Sequence, residues 1–199
     1  MLIPLRMSAQ SDEQLMKRAA RGSDRAFEEL YNRHARRLQG FFVRRLGDDS
    51  DLASDFMHDT FLRLYAARES YREGHSFRAW LYTIAYNLCK NHMRRCHVVE
   101  MVTPSSSSKG KESSPVEDAV DSSCDIELEL DKNILHDALS SVLRSLPEPY
   151  AILFSLHYEE ELTVPQIAQI TELAEGTVKS RLNKAMKIIK INLKQYENR

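Results

Sequence analysis

Residues 162–184, LTVPQIAQITELAEGTVKSRLNK, form a pattern of two short helices joined by a tight corner. Thr163 is a residue type that caps helices, and Pro165 fits a first helical turn, where its missing N–H costs nothing. Residues 172–174 are predicted to form the corner, and a second, longer helix begins near Glu175. The stretch therefore predicts a helix-turn-helix unit.

The second of these helices has one apolar stripe, which predicts that one side packs against the rest of the unit. Its other faces carry hydroxyl, amide and basic side chains, which suit a helix that reads DNA in the major groove. A simple helical corner with solvated lysines has the same local pattern, so the stretch alone leaves both interpretations open. The predicted stripe consists of Val178, Leu182, Ala185 and Ile189.

The composition predicts an all-α protein. Of 199 residues, 42% are hydrophobic and only 6 are glycine and 6 proline, while alternation typical of strands is nearly absent. We find neither a signal-peptide pattern nor a long apolar run, so we expect a cytoplasmic protein without membrane insertion. Three cysteines in such a chain are expected to be free thiols.

The net charge of −1 conceals a strong segregation along the chain. Basic residues exceed acidic ones in residues 1–96 and 177–199, and acidic residues exceed basic ones between them. Two basic regions separated by an acidic middle indicate two contacts with a polyanion.

Four helices are predicted in the first half. Ser11 and Gln14 have the spacing of a capping box, which starts the first helix. A second helix follows the break at Gly22, a third covers residues 51–66, and a loop over residues 68–76 leads to the fourth.

The fourth helix, FRAWLYTIAYNLCKNHMRR from Phe77 to Arg95, carries apolar, polar and aromatic stripes. Aromatic rings beside amides and cations suit single-stranded bases, which stack on rings while cations hold phosphates. Alternatively, Tyr82 and Tyr86 cover another helix and the cations are solvated. The core stripe is Phe77, Trp80, Leu81, Ile84 and Leu88, the polar stripe is Thr83, Asn87, Lys90 and Arg94, and Tyr82, Tyr86 and Met93 are expected opposite the core.

Two small helical domains and a flexible linker follow from these patterns. Helical periodicity stops near His97, and the next residues are serine-rich and then acidic. A helix over about 134–143 and another from Tyr150 to about His157 precede the helix-turn-helix unit. We divide the chain into a disordered tail (1–10), a first domain (11–96), a flexible acidic linker (97–131) and a second domain (132–199).

The chain resembles the extracytoplasmic-function sigma factors of bacterial RNA polymerase, a branch of the sigma-70 family. The resemblance covers almost all of residues 12–96 and 133–193. AFEELYNRH, DLASDFMHDTFLRLY and SFRAWLYTIAYN are similar to the sigma-2 domain, and SLPEPYAILFSLHYEEELTVPQIAQI and EGTVKSRLNKA to the sigma-4 domain. WLYxIAxN and GTVKSRL in this order, separated by a spacer, make a specific pair.

The resemblance implies promoter recognition without any enzymatic activity or cofactor. Sigma-4 would bind the duplex −35 element, and sigma-2 would hold the melted non-template strand of the −10 element, with Asn87 at the pocket of a flipped base. The residues implied at the −35 element are Thr177, Lys179, Ser180, Arg181 and Lys184. Those implied at the −10 element are Tyr71, Arg72, His75, Ser76, Tyr82, Tyr86, Asn87, Lys90 and Arg94.

The resemblance also implies protein partners. Core RNA polymerase would bind through its clamp and flap regions, with the linker threaded through its interior. Members of the family usually have an anti-sigma factor, so one is implied here too. No metal is implied. The surface for the polymerase clamp would comprise Asp55, His58, Asp59 and Arg63.

Three positions depart from the family pattern. His58-Asp59 replaces the usual Gln-Glu, which puts the clamp contact in question, and Pro165 replaces an acidic residue in a position that accepts proline. Thr171-Glu172 replaces the usual Leu-Gly at the corner, where glycine permits a positive φ that glutamate adopts only at some cost.

Three other classes of protein fit the sequence less well. An enzyme is disfavoured, because no metalloprotease, phosphate-loop or nucleophile-elbow motif is present. A metal sensor built on Cys89, His92 and Cys96, completed by His97 or Cys124, is disfavoured because ligands two helical turns apart are too distant. A stand-alone helix-turn-helix regulator would explain residues 162–184 but not the fourth helix or the spacer.

Overall fold

The computed structural model describes residues 9–102 and 141–197, and within these ranges the chain forms helices and turns without any strand. Residues 141–144 are helical, residues 68–70 form a 3₁₀ turn, and residues 155–159 form a π-helical turn. The α-helices are α1 (Asp12–Ala20), α2 (Asp24–Arg45), α3 (Ser50–Ala66), α4 (Phe77–Val102), α5 (Glu148–Phe154), α6 (Val164–Thr171) and α7 (Glu175–Glu197).

Short polar side chains cap the starts of three helices, and the sequence predicted the first of these caps. The Ser11 N–H donates to Gln14 Oε1 at 3.1 Å and the Gln14 N–H donates to Ser11 Oγ at 3.3 Å, which completes the predicted capping box. Asp49 Oδ1 accepts the Leu52 N–H at 3.0 Å at the start of α3. Ser76 Oγ accepts the Ala79 N–H at 3.3 Å at the start of α4.

Helix α4 is longer than predicted. It continues to Val102, beyond the expected end at Arg95, so our boundary between the first domain and the linker lies inside a helix. The predicted tail over residues 1–8, the linker after residue 102, and the first part of the predicted helix over 134–143 lie outside the described residues.

Four helices, α1 to α4, enclose the core of the first half. Phe41, Phe42, Phe77 and Leu81 are fully buried there, each stabilising the fold by roughly 1.5–3 kcal/mol through loss of apolar surface. Helix α1 is tied to α2 by the Asp12 carboxylate, which lies 2.7 Å from His34 Nε2 and 3.0 Å from an Arg33 nitrogen. Hydrogen bonding to His34 is the main reason that the pKa of Asp12 is lowered.

The second half is built on the stripe predicted for the reading helix α7. Val178 and Ala185 are fully buried and Leu182 and Ile189 nearly so, which confirms the stripe. The first two turns of α7 pack on α6, and its later turns pack on α5 and on residues 142–146.

The corner of the helix-turn-helix unit lies at residues 172–174, as predicted. Glu172 adopts the left-handed conformation, with φ 60° and ψ 27°, and its N–H donates to Ala168 O. Glu172 therefore replaces the glycine that the family usually has here, and it adopts the left-handed conformation for which glycine is normally used. The angle between α6 and α7 does not require a glycine.

Replacing Glu172 by glycine is expected to stabilise the second half by about 1 kcal/mol, because a non-glycine residue pays about this much for a left-handed conformation. Chemical denaturation of the full chain measures the change. Glu172→Ala is the matched control, since it also removes the Glu172 carboxylate but keeps a Cβ. Equal stability of the two variants would contradict a backbone origin.

The two halves are packed against each other, which the sequence did not predict. One continuous cluster of buried residues includes Tyr82 and Ala85 of α4 as well as Leu153, Leu156 and Ile167 from the second half. Helix α4 is thus covered by α3 on one side and by α6 on another.

Candidate nucleic-acid interface

The loop before α4 and the first turns of α4 enclose a cavity of about 640 Å³. The ring centroids of Tyr71 and Trp80 lie 5.5 Å apart, and the Tyr71 hydroxyl donates a hydrogen bond to the carbonyl of His75. Burial, with help from nearby acidic groups, raises the pKa of Tyr71 to about 12. The cavity is lined by Ser70, Tyr71, Arg72, Gly74, His75, Ser76, Ala79, Trp80 and Thr83, and by Gln166 and Gln169 of α6.

This cavity has the chemistry of a base pocket. Two aromatic rings provide stacking surface, and the hydroxyl and imidazole groups of the loop and α4 provide hydrogen bonds to base edges. Four residues that the resemblance implied at the −10 element, Tyr71, Arg72, His75 and Ser76, line it. Trp80, which the sequence placed in the core, is only half-buried and forms part of the wall.

The polar stripe of α4 leads away from this cavity. Asn87, Lys90 and Arg94 are all exposed. Lys90 Nζ lies 6.0 Å above the Tyr86 ring and 3.3 Å from Glu172 Oε2, and Arg94 donates to Asn91 Oδ1. An amide and two cations thus follow one another along the helix surface.

Tyr82 does not lie where the sequence placed it. We expected it opposite the core, but it is 1% exposed, its ring lies 5.4 Å from the Phe41 ring, and its hydroxyl donates to the Glu160 carboxylate. Burial raises the pKa of Tyr82 far above its ordinary value. The expectation was wrong because the second half covers this side of α4. For Tyr82, the structure therefore agrees with the alternative interpretation, in which the tyrosine packs against another helix.

The residues implied at the −35 element lie in the first turns of α7. Lys179, Ser180 and Lys184 are exposed, whereas Thr177 and Arg181 are half-buried. Arg181 lines a cavity of about 250 Å³ together with Tyr86, Lys90 and Met93 of α4. The two sets of candidate DNA-binding residues therefore border the same cleft.

The outer face of α3 carries the residues implied at the polymerase clamp. Asp55, His58 and Arg63 are exposed, and Arg63 Nε lies 3.0 Å from Asp59 Oδ1. Among them stands Leu62, which is 69% exposed. Sequence analysis missed Leu62, although an apolar residue outside the core stripe was the available signal.

Ion pairs between the two halves form a second surface that the sequence did not predict. We define the arginine cleft as Arg36, Arg37, Arg44 and Arg78, and the acidic turn as Glu159, Glu160 and Glu161. Arg44 Nη2 lies 2.7 Å from Glu159 Oε2, Arg37 Nε lies 3.4 Å from Glu160 Oε2, and Arg78 Nη1 lies 3.1 Å from Glu161 Oε2.

Glu160 stands at the centre of these contacts. It is 1% exposed, and its Oε1 atom is buried without a hydrogen-bond partner. Desolvation raises the pKa of Glu160, although the Tyr82 hydroxyl and the arginines oppose the shift. Its burial is therefore incompletely compensated.

The candidate metal ligands are dispersed or outside the described residues. Cys89 is a buried free thiol whose pKa is raised by burial to about 12, while Cys96 is exposed, with Sγ 3.5 Å from His92 Nε2. Across residues 9–102 and 141–197, His, Cys, Asp and Glu nowhere form a group of three or more that could hold a metal ion. In the same ranges, the helices are too short or too polar to cross a membrane.

Two family models match the chain, one in each half. The model of sigma-70 region 2 matches residues 30–97, and the model of sigma-70 region 4 matches residues 136–189. The first match contains the −10 candidates and the α3 face, and the second contains the turns of α7 that carry the −35 candidates. Together they cover more than half of the chain.

Relatives of known function match over nearly their full length. The RNA polymerase sigma-H factor of Pseudomonas aeruginosa is 29% identical, over 92% of this chain and 94% of the relative. The sigma-E factor of Haemophilus influenzae, an extracytoplasmic-function sigma factor, is 26% identical over 90% and 93%, respectively.

Two solved structures share the fold. The structure of CnrH in complex with the cytosolic domain of CnrY has a TM-score of 0.63 and 22% identity, over 94% of this chain and 99% of that one. The sigma factor RpoE of Bartonella quintana, in complex with the anti-sigma factor NepR, has a TM-score of 0.64 and 23% identity, over 84% and 96%. From its two region matches and its full-length relatives, we conclude that the chain belongs to the extracytoplasmic-function sigma factors of the sigma-70 family and serves transcription initiation.

Proposed function

We propose that the α4 loop cavity takes a flipped base of the −10 element and that α7 reads the −35 element in the major groove. The observation that carries the proposal is the part of the cavity that the first half forms, where the rings of Tyr71 and Trp80 stand next to the exposed polar stripe of α4. A flipped base would stack on the rings, and Lys90 and Arg94 would hold its backbone. Thr177, Lys179, Ser180, Arg181 and Lys184 would contact the −35 duplex.

The outer face of α3 is proposed to bind the clamp of core RNA polymerase. The exposed Leu62 supplies an apolar contact between Asp55, His58, Asp59 and Arg63, as the centre of a protein interface requires. The second half would bind the polymerase flap. An anti-sigma factor is also proposed, because the similar RpoE structure contains one.

Binding free energy alone is proposed to favour the melted promoter, so the chain needs neither nucleotide hydrolysis nor a cofactor and is not an enzyme. It would act in the cytoplasm, where the polymerase and the promoter are. The proposed division of labour assigns −10 recognition to residues 11–96 and −35 recognition to residues 132–199, with the segment between them as a linker.

Promoter binding requires the two halves to separate. Arg181 of the reading helix faces Tyr86 and Lys90 of α4, and Gln166 and Gln169 close one side of the base cavity. DNA cannot contact both surfaces while they face each other across this cleft. We infer that the described arrangement is that of the chain away from DNA.

Asn87→Ala is expected to weaken open-complex formation by about 1–3 kcal/mol, because an amide that hydrogen-bonds a base edge contributes this much discrimination. Binding to closed duplex promoter should change little. Holoenzyme reconstituted from purified core polymerase gives both quantities, by footprinting with a single-strand-specific reagent and by a mobility shift. Asn32→Ala, on the exposed side of α2, is the matched control. Equal losses in duplex binding and melting would count against a contact between Asn87 and the melted strand.

A stand-alone helix-turn-helix regulator is the alternative. It would bind promoter DNA alone and would not restore initiation to core polymerase. Transcription by purified core polymerase, with and without the chain, distinguishes the two functions, and absence of any association with core polymerase would end the proposal.

A further inference from the structure

We propose that the arginine cleft is a binding site for DNA phosphates, and that the acidic turn occupies it while the two halves are packed together. The inference rests on the proposed function and adds a site to it. Arg36, Arg37 and Arg44 lie on one face of α2, and Arg78 joins them from the first turn of α4. Three of the four contact the acidic turn.

The contacts of the acidic turn are those expected of a stand-in for a phosphate backbone. Besides their carboxylates, the carbonyls of Glu159 and Glu160 accept hydrogen bonds from Arg37 and Arg78. A guanidinium group binds carboxylate and phosphate oxygens with the same forked geometry. Arg36, Arg37 and Arg44 also line an open cavity of about 520 Å³, which leaves room for a larger anion once the turn departs.

Two features of the acidic turn are energetically unfavourable while it occupies the arginine cleft, and they favour its release. Glu160 is buried with Oε1 unpartnered, and Glu161 has a φ of 55°, which is unfavourable for a residue with a side chain. Breaking this contact returns the buried Glu160 carboxylate to water. The four arginines would then have no counter-charge from the turn.

The position of the cleft fits a strand whose base enters the cavity before α4. Arg78 is two residues from Trp80, which forms a wall of that cavity, so both sites use the first turns of α4, but the two side chains point about 200° apart around the helix. A strand that crosses the start of α4 would bring a later phosphate to Arg78, and its next phosphates would lie along the arginines of α2. Arg33 also lines the open cavity, but its guanidinium already contacts Asp12, Glu29 and the carbonyl of Gln10, so we do not count it among the phosphate ligands.

Arg36→Ala tests the site in holoenzyme, since Arg36 is exposed and the ion pairs of the acidic turn are made by Arg37, Arg44 and Arg78. The probe is promoter DNA whose non-template strand is already single-stranded over the −10 element, titrated at several salt concentrations. We expect weaker binding and a salt slope smaller by about 0.7–0.9, the share of one phosphate contact. Arg25→Ala, also exposed on α2, is the control and should leave the slope unchanged. An unaltered slope for Arg36→Ala overturns the site.

A second experiment tests the occupant with the free chain and an oligothymidine strand. The triple variant Glu159→Gln, Glu160→Gln, Glu161→Gln is expected to bind the strand several-fold more tightly than the natural chain, and equal affinity overturns the role of the acidic turn. This assay contains no polymerase. If the chain does not associate with core polymerase, the proposed function is wrong. The oligothymidine assay still tests the arginine cleft in that case.

Discussion

Tyr82→Ala is expected to destabilise the chain by about 3–5 kcal/mol, the range found when a large buried aromatic side chain is truncated. The ring is 1% exposed and packs edge-on against Phe41 at 5.4 Å, so its removal leaves a cavity where α2, α4 and the second half meet. The variant also takes away the hydroxyl that donates to the buried Glu160 carboxylate. Denaturant unfolding of the free chain gives the loss.

Tyr82→Phe separates packing from hydrogen bonding. It keeps the ring and removes only the donor to Glu160, so a smaller loss of about 1–3 kcal/mol is expected. Because Glu160 belongs to the second half, this loss should fall on the contact between halves, and limited proteolysis should cut the separated chain faster. Wild-type stability of Tyr82→Ala would contradict the burial and return Tyr82 to the exposed surface that the sequence predicted.

Arg181→Ala is expected to weaken initiation from promoters that depend on a −35 element by about 1–3 kcal/mol, the contribution of a side chain that hydrogen-bonds a base. Arg181 lies in the second turn of α7, beside the buried stripe residue Leu182. Since Arg181 is only half-buried, the fold itself should change by less than about 0.5 kcal/mol. Transcription by reconstituted holoenzyme on promoters with intact and scrambled −35 elements measures the effect.

Lys190→Ala is the matched control for Arg181→Ala, because Lys190 is exposed on the same helix but lies beyond the predicted reading residues. A loss for Arg181→Ala that is equal on intact and scrambled elements would indicate a phosphate contact instead of base reading. No loss at any salt concentration would remove Arg181 from the −35 set.

The sequence predicted the elements whose cause is local. The capping box at Ser11, the apolar stripe from Val178 to Ile189 and the corner at residues 172–174 each follow from a few neighbouring residues, and the structure has all three. The two family motifs likewise lie within short stretches. Local hydrogen bonds and helical periodicity depend on residues three or four positions apart, so they can be read directly from the chain.

The contact between the halves could not be predicted in this way. Tyr82 meets Glu160 and Arg44 meets Glu159 across about half of the chain, and no periodicity relates residues so far apart. Charge segregation was visible, but we assigned both basic regions to DNA and did not expect the acidic middle to contact the first half. In the described arrangement, acidic residues from this middle region contact the first half of the same chain.

By itself, the sequence determined the helices, the helix-turn-helix unit and the family, because these depend on local chemistry. Only the tertiary structure decided which side of α4 is buried, that Leu62 stands exposed, and that carboxylates fill the arginine cleft. These features arise when two surfaces exclude water from each other, and the free energy of that exclusion depends on the shape of both surfaces together.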